Sequence, residues 1–370
     1  MRSRTRAGRS WVAPLAALPL LLAGCSAADP SPSADGGREA VTLTLATSFN
    51  KTHSNNDGIW MFVENLRENA PWITVDYKGG PEVMAPNVLI EGVSAGVFDM
   101  GSLPGDYYVD QLPAMEVPRF TPYSPMEERE LGITGIYDEI HRDQLGITYL
   151  GHTVAGMPQV LLVDSPITEA DLEGKSLRTS SATSGMVQAM GGVPVDLPGG
   201  EVYTALERGV VSGASWAAVG PSSLGLQEVT EYHVAPRFYE SVANLVMNEG
   251  TWEKLDAETR QAITDTIAET EPEIFGHFMN KSVSESREWE AAGVQETRLS
   301  EEATNRVFEL AYRDGWEELD WDAILSTTPD AARLKQAFED GMTGDLADIV
   351  PGGDTVDRTV AQIEQLKEES

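Results

Sequence analysis

Few side chains in this 370-residue chain are suited to covalent chemistry, and their spacing speaks against an enzyme. Gly92-Val93-Ser94-Ala95-Gly96 matches the G-x-S-x-G pattern that, in hydrolases, lifts a serine onto a strained turn between a strand and the helix after it. Here the order is reversed. The residues before the motif have helical periodicity and those after it alternate as a strand, so Ser94 fits a helix end closed by glycine. A serine hydrolase acting through Ser94 stays as a remote alternative. The histidines, His53, His141, His152, His233 and His277, show no H-E-x-x-H spacing, and the single cysteine is Cys25, so neither supports a zinc site. There is no G-x-x-x-x-G-K-[ST] loop, and no G-x-G-x-x-G follows the first strand. No metal, nucleotide or other cofactor is expected.

Cys25 has a different chemistry in view. Arg2, Arg4, Arg6 and Arg9 precede an apolar run from Trp11 to Leu22, and Ala23-Gly24-Cys25-Ser26 follows. A positive segment, a short apolar segment and small residues make a signal peptide. The apolar run is about half the roughly twenty residues needed to span a bilayer. Leu22-Ala23-Gly24-Cys25 looks like a bacterial lipobox, in which the thiol takes a diacylglycerol and the freed amine a further acyl chain. Two or three acyl chains suffice for stable anchoring. Residues 1–24 are therefore read as a lipoprotein signal peptide, and 25–40, small, polar and dotted with proline, as a lipid-anchored flexible tether. The protein is expected to be exported and held at the outer face of the cytoplasmic membrane or in the periplasm.

With no second cysteine the exported domain must be stable through its core alone, and about 345 residues suffice for two lobes. The net charge of −33, more negative still without the leader arginines, argues against nucleic acid or anionic lipid as partner. Val41-Thr42-Leu43-Thr44-Leu45 alternates as a strand, while Ile59, Phe62, Val63 and Leu66 recur at helical spacing. The pattern continues with Ile73, Val75 and Tyr77, a helix over about 87–95, a strand over 97–103, a helix marked by Ile133, Ile136, Tyr137 and Ile140, and a strand at 147–150. Such alternation predicts α/β lobes with mostly parallel sheets flanked by helices. Gln159 to Val163, Leu177 to Thr179, Val193 to Val195 and Val210-Val211 supply strands for a second lobe. From Trp252 to Ala292 the chain is helical and charged, and Pro272 is expected to end or kink the helix.

These features, without a catalytic signature, fit a solute-binding receptor, and the stretch 172–255 narrows it. Asp171-Leu172-Glu173-Gly174-Lys175-Ser176-Leu177-Arg178, Gly191-Gly192-Val193-Pro194-Val195, the run from Glu201 to Val211, and Asn248 to Trp252 with Leu255 occur in order. Upstream stand Gly79 to Val83, Gly96 to Met100, Pro104-Gly105 and Tyr107-Tyr108. Together they resemble the extracytoplasmic solute receptors, the dicarboxylate-type P subunits, of tripartite ATP-independent periplasmic (TRAP) transporters, over residues 41–320. The resemblance implies a two-lobed periplasmic binding protein (a Venus flytrap) with a long helix spanning both lobes. It also implies capture of a small organic acid and its delivery to a sodium-driven membrane permease. A substrate-binding lipoprotein of an ATP-driven importer is the alternative. Lobe 1 is placed at 41–155 with 243–285 returning to it, lobe 2 at 156–242 with 286–340 returning, and a C-terminal extension at 341–370.

Arg178 falls on the family arginine that pairs with the ligand carboxylate, and a guanidinium suits a carboxylate because its planar fork matches both oxygens. Trp216 is placed as an aromatic wall or as a packing side chain. Gln159 stands where relatives carry a second arginine or another polar group, and a neutral amide there suits one carboxylate plus a hydroxyl or keto oxygen. Ser48, at the end of the first strand, and Tyr107 are candidates from the other lobe. Phe238 and Asn248 complete the set, as contact or as packing and hinge residues. Two departures stand out. Ser212 replaces the aspartate of the family's "GvvDG", and Ser215 stands where a keto-acid-binding subgroup has the glutamate that helps hold a cation, which puts a bound metal in doubt.

Overall fold

The computed structural model describes residues 39–344 and 349–369. Cys25, the leader and most of the tether lie outside the described residues. The first sheet contains β1 (Val41–Thr47), β2 (Ile73–Gly79), β3 (Met100–Pro104) and β4 (Ile147–Val154). The second contains β5 (Pro158–Val163), β6 (Ser176–Thr179), β7 (Val193–Asp196), β8 (Gly213–Ala217), β9 (Tyr232–Ala235) and β10 (Phe238–Glu240). The chain then returns to the first sheet with β11 (Ala243–Asn248) and to the second with β12 (Gln295–Arg298). The order is β2-β1-β3-β11-β4 in one sheet and β12-β9-β5-β8-β6-β7 in the other, with β10 beside β5.

The α/β, two-lobed class holds, but the sheets are mixed and not mostly parallel. β11 runs antiparallel to both β3 and β4, and β5 runs antiparallel to β8, β9 and β10. The cause is the path of the chain. β1, β3 and β4 run toward the junction of the sheets, as do β6 and β8 in the other sheet. A segment that crosses the junction starts there and must run away from it. β5 and β11 are those segments, and each lies between two strands of the sheet it enters.

One core lies between the first sheet and two helices, Asp57–Asn69 and Ala257–Ala292, where Leu43, Leu45, Phe62, Leu245, Ile263 and Ile274 are buried. Another, with Val160, Leu162, Leu206 and Trp289, covers one face of the second sheet. The helix Ala257–Ala292 joins both. Its first half bonds to the first lobe, with Trp72 Nε1 donating to Thr259 Oγ1 at 3.2 Å and Asn65 Nδ2 to Thr270 Oγ1 at 3.1 Å. Its second half holds the other lobe: Glu285 accepts the N–H groups of Gly220 (2.8 Å) and Ser222 (3.1 Å), and Ser282 accepts from Arg237 at 2.7 Å. Pro272 lies inside this helix and does not end it. Proline removes one backbone donor, and the packing of Ile267, Ile274, Phe275 and Phe278 on either side carries the helix through. Val210 is likewise not in a strand: Gly209 turns left-handed at φ +65°, Val210 is exposed, and β8 begins at Gly213.

Candidate functional site

Strand ends pointing toward a common junction create a crevice, which is where open α/β sheets bind ligands. Here a cavity of about 540 Å³ lies between the two sheets. That volume falls within the range of small-molecule sites. Ser48 and Phe49 reach it from the end of β1, Asp106 and Tyr107 from the turn after β3, Gln159 from β5, Arg178 from β6, and Ser215 and Trp216 from β8.

Arg178 is the most constrained of these. β6 lies between β7 and β8, so its backbone is paired on both sides. Its Nε donates to the Leu197 carbonyl at 3.1 Å and its Nη1 to the Ser215 carbonyl at 3.2 Å. The guanidinium carbon lies 4.2 Å from the Trp216 ring centre, a stacked cation–π contact. Trp216 is itself fixed: a Cβ on Gly199 would lie 2.9 Å from its Cη2, and one on Gly220 3.0 Å from its Nε1. No carboxylate is ion-paired with Arg178 among the described residues. Burial pulls its pKa below the ordinary arginine value, while the Tyr107, Asp196 and Asp106 charges pull it back. Two bonds to carbonyls leave one N–H on Nη1 and both on Nη2, the end-on fork that fits two carboxylate oxygens.

The other expected residues divide cleanly. Gln159, half-buried, lines the cavity and donates to Ser241 Oγ at 2.6 Å. Ser48 is 2% exposed and its Oγ has no hydrogen-bond partner, a condition shared by Ser215 Oγ. Burial pushes the Tyr107 hydroxyl well above the usual tyrosine range. These residues meet Arg178 and Trp216 at one cavity. Phe238 and Asn248 do not. Phe238 is 1% exposed and packs edge-on against Tyr239, because β10 turns this side chain into the core. Asn248 is at the far end of β11, where its Oδ1 accepts from Thr251 N–H at 2.9 Å and its Nδ2 bonds the carbonyls of Val93 and Ser94, both at 3.0 Å. It caps a helix. Ser94 ends the helix Leu89–Ser94 ahead of β3 and donates to the Leu145 carbonyl at 2.6 Å, so the order opposite to a nucleophile elbow is the one observed.

Several lining residues were missed by reading the sequence. His53 stacks on Phe49 with ring centres 4.7 Å apart, and its Nδ1 accepts from Asn55 N–H, which leaves the proton on Nε2. Burial keeps that ring neutral by lowering its pKa. Glu240 lines the wall with both oxygens taken, by Met157 N–H at 3.0 Å and Gly352 N–H at 2.9 Å. Asp106 and Arg119 are also on the wall. Asp106 was within reach of the sequence, inside the Pro104 to Tyr108 block, whereas a lone arginine in Pro118-Arg119-Phe120 gives no pattern to notice. Among the described residues no group of three or more His, Cys, Asp or Glu side chains is arranged to hold a metal ion.

A cleft between two α/β lobes, with one long helix bonded to both and a constrained arginine on its wall, defines a two-lobed solute-binding protein. Comparison with known families places it more narrowly. The model for bacterial extracellular solute-binding protein, family 7, matches residues 82–318, and the chain belongs to that family, which includes the TRAP receptors. It is 24% identical, over 67% of this chain and 71% of the relative, to a monocarboxylate 2-oxoacid-binding periplasmic protein of Nostoc sp.. Its fold matches DctP7, a Bordetella pertussis extracytoplasmic solute receptor binding pyroglutamic acid, with TM-score 0.67, 17% identity, and 81% and 100% of the two chains covered. It also matches a TRAP periplasmic solute binding protein from Desulfovibrio salexigens with bound orotic acid, with TM-score 0.69, 19% identity, and 83% and 99% covered. These relatives are receptors and not enzymes. No helix among the described residues is long and apolar enough to cross a membrane.

Proposed function

We propose that this protein captures a small organic acid outside the cytoplasmic membrane and hands it to the permease subunits of a sodium-driven TRAP transporter, with Arg178 holding the ligand carboxylate. One observation carries the reading: Arg178 is fixed by two carbonyls and the Trp216 ring, lines the cavity, and has no carboxylate paired with it among the described residues. Each charge-assisted hydrogen bond it offers is worth about 1.5–3 kcal/mol. A ligand with one carboxylate fits better than a compact dicarboxylate, because Gln159, Trp216, Ser48 and Tyr107 are uncharged and the other cation on the wall, Arg119, is offset by Asp106. The acids named for the relatives, a 2-oxoacid, pyroglutamate and orotate, agree with that class.

The lobe division at 155/156 and 242/243 belongs to the same reading. It is supported by β11 pairing within the first sheet and β12 within the second. The helix Ala331–Gly341 packs on the helix Ile133–Leu145 across that division. Anchoring through a lipid on Cys25 would keep the receptor beside its permease, and Cys25→Ser is expected to bind ligand normally yet be lost from the membrane fraction. Native mass spectrometry of the purified protein, followed by denaturation, tests the central assignment. A released carboxylic acid supports it; a protein that comes empty and whose melting temperature no carboxylic acid raises contradicts it.

A further inference from the structure

Two further charges line the cavity wall. Asp106 sits in the turn Gly105–Tyr107 after β3, and Arg119 in the turn Pro118–Phe120, which packs on β10. Arg119 is held in place by aromatic rings, with its guanidinium carbon 4.6 Å from the centre of Phe120 and 5.7 Å from that of Tyr239. Its Nε is buried without a hydrogen-bond partner, and the carboxylate ion-paired with it is that of the partly exposed Glu116, at 3.6 Å. The Asp106 carboxylate accepts no side-chain hydrogen bond and joins no ion pair among the described residues. Asp106 and Arg119 attract each other electrostatically, yet no direct ion pair closes between them. Arg119 also bonds the Tyr239 hydroxyl, so what stays open on this wall is the Asp106 carboxylate and the remaining N–H groups of Arg119.

The geometry points to a second ligand subsite at Asp106 and Arg119, which takes a group able to donate and accept at once, a hydroxyl or a carboxamide, on a part of the ligand other than its carboxylate. This inference rests on Arg178 holding that carboxylate. A hydroxyl or amide satisfies Asp106 and Arg119 together. A second carboxylate meets the like charge of Asp106, and an ammonium meets that of Arg119. Burial pushes the Asp106 carboxyl up to about 6, with Arg119 and then Arg178 pulling it back, so it is mainly ionised, and an acceptor, at neutral pH. Asp106 and Arg119 offset each other's charge. Arg178 is left to balance one negative charge on the ligand.

Calorimetric titration of the purified protein with matched acids tests the subsite. The pairs are pyroglutamate against cyclopentanecarboxylate and 4-hydroxycyclohexanecarboxylate against cyclohexanecarboxylate, with glutarate as the dicarboxylate. The amide or hydroxyl member of each pair is expected to bind at least about tenfold tighter, and glutarate more weakly than pyroglutamate. Asp106→Ala erases the preference and leaves cyclopentanecarboxylate within about threefold of wild type. Asp106→Asn, which keeps the volume and removes the charge, relieves the penalty on glutarate and serves if the alanine variant does not fold. Equal affinities within both pairs, or an Asp106→Ala that weakens both members of a pair alike, overturn the subsite while leaving the Arg178 reading intact. Silence toward every acid brings down the Arg178 reading itself.

Discussion

Two of the groups of charged side chains withdrawn from water in this molecule differ in whether their hydrogen-bonding capacity is used up. Beside β4, Glu128 and Glu271 are each 1% exposed. Glu128 accepts from Thr121 Oγ1 at 2.7 Å and lies 2.7 Å from His152 Nε2, while Glu271 accepts His152 N–H at 2.8 Å and is ion-paired with Arg129. Arg129 also donates to the Leu150 carbonyl at 2.9 Å. Each charge there has a protein partner. At the cavity, Arg178 keeps an open fork, Ser48 and Ser215 hold unpartnered hydroxyls, and Asp106 and Arg119 stand apart. A buried polar group left unmade costs about 1–3 kcal/mol. The first group is therefore complete in the protein alone, and the second is completed by a ligand.

Removing a charge from the closed group should produce the largest loss of stability and no loss of binding. Glu271→Ala strands Arg129 and the His152 amide, and breaking a buried pair in this way costs about 3–5 kcal/mol. A urea midpoint shift of that size with unchanged ligand affinity in the folded fraction is expected; an affinity loss at intact stability would erase the distinction between the two groups.

Glu240 sits on the boundary, because it lines the cavity yet has both oxygens engaged. Burial pushes its carboxyl up to about 7 against the pull of the Gly352, Met157 and Gly156 amides. A value above that of the unfolded chain means that the fold favours the protonated form. This contribution is complete below about pH 4.5 and is lost as pH rises through 7. Over that span it amounts to about 3 kcal/mol. His152 adds in the same direction: burial lowers its pKa, but the Glu128 and Glu271 carboxylates outweigh burial and hold it above the ordinary histidine value. Its contribution is present below pH 6.5 and fades as pH rises through that raised value. These two groups favour pH 5 over pH 8, whereas burial lowers the His141 and His233 pKa to about 4 and favours the opposite. The test is therefore a difference: the urea midpoint of Glu240→Gln relative to unliganded wild type should be higher at pH 8 than at pH 5. An equal difference at the two pH values would place Glu240 with the open group.

Ser94→Ala should do least. It removes one hydrogen bond to Leu145, worth about 1 kcal/mol, and leaves ligand binding untouched. Labelling of Ser94 by a serine-reactive phosphonate would instead revive the hydrolase reading.

What could be read from the sequence follows the range of the interactions involved. β1, the helix Asp57–Asn69 and β6 declare themselves by local periodicity, since each buries one face. The antiparallel insertion of β5 and β11 depends on partners distant in the chain, so alternating strands and helices suggested more parallel pairing than exists. Pro272 does not end its helix for the same reason, because tertiary packing carries the helix past it. At the site, Arg178, Trp216, Gln159, Tyr107 and Ser48 do share one cavity. Phe238 and Asn248 have residue types that suit a ligand, but a core and a cap claim them. Arg119 and Glu240 have meaning only through what surrounds them in space.

The direct test of the open group is a calorimetric comparison of wild type with Arg178→Lys, titrated with the acid released from the purified protein. Lysine keeps the charge and loses the planar fork. Loss of one charge-assisted bond predicts an affinity about ten- to a hundredfold weaker, with thermal stability close to wild type. Wild-type affinity in the lysine variant would contradict the assignment of Arg178 as the carboxylate anchor.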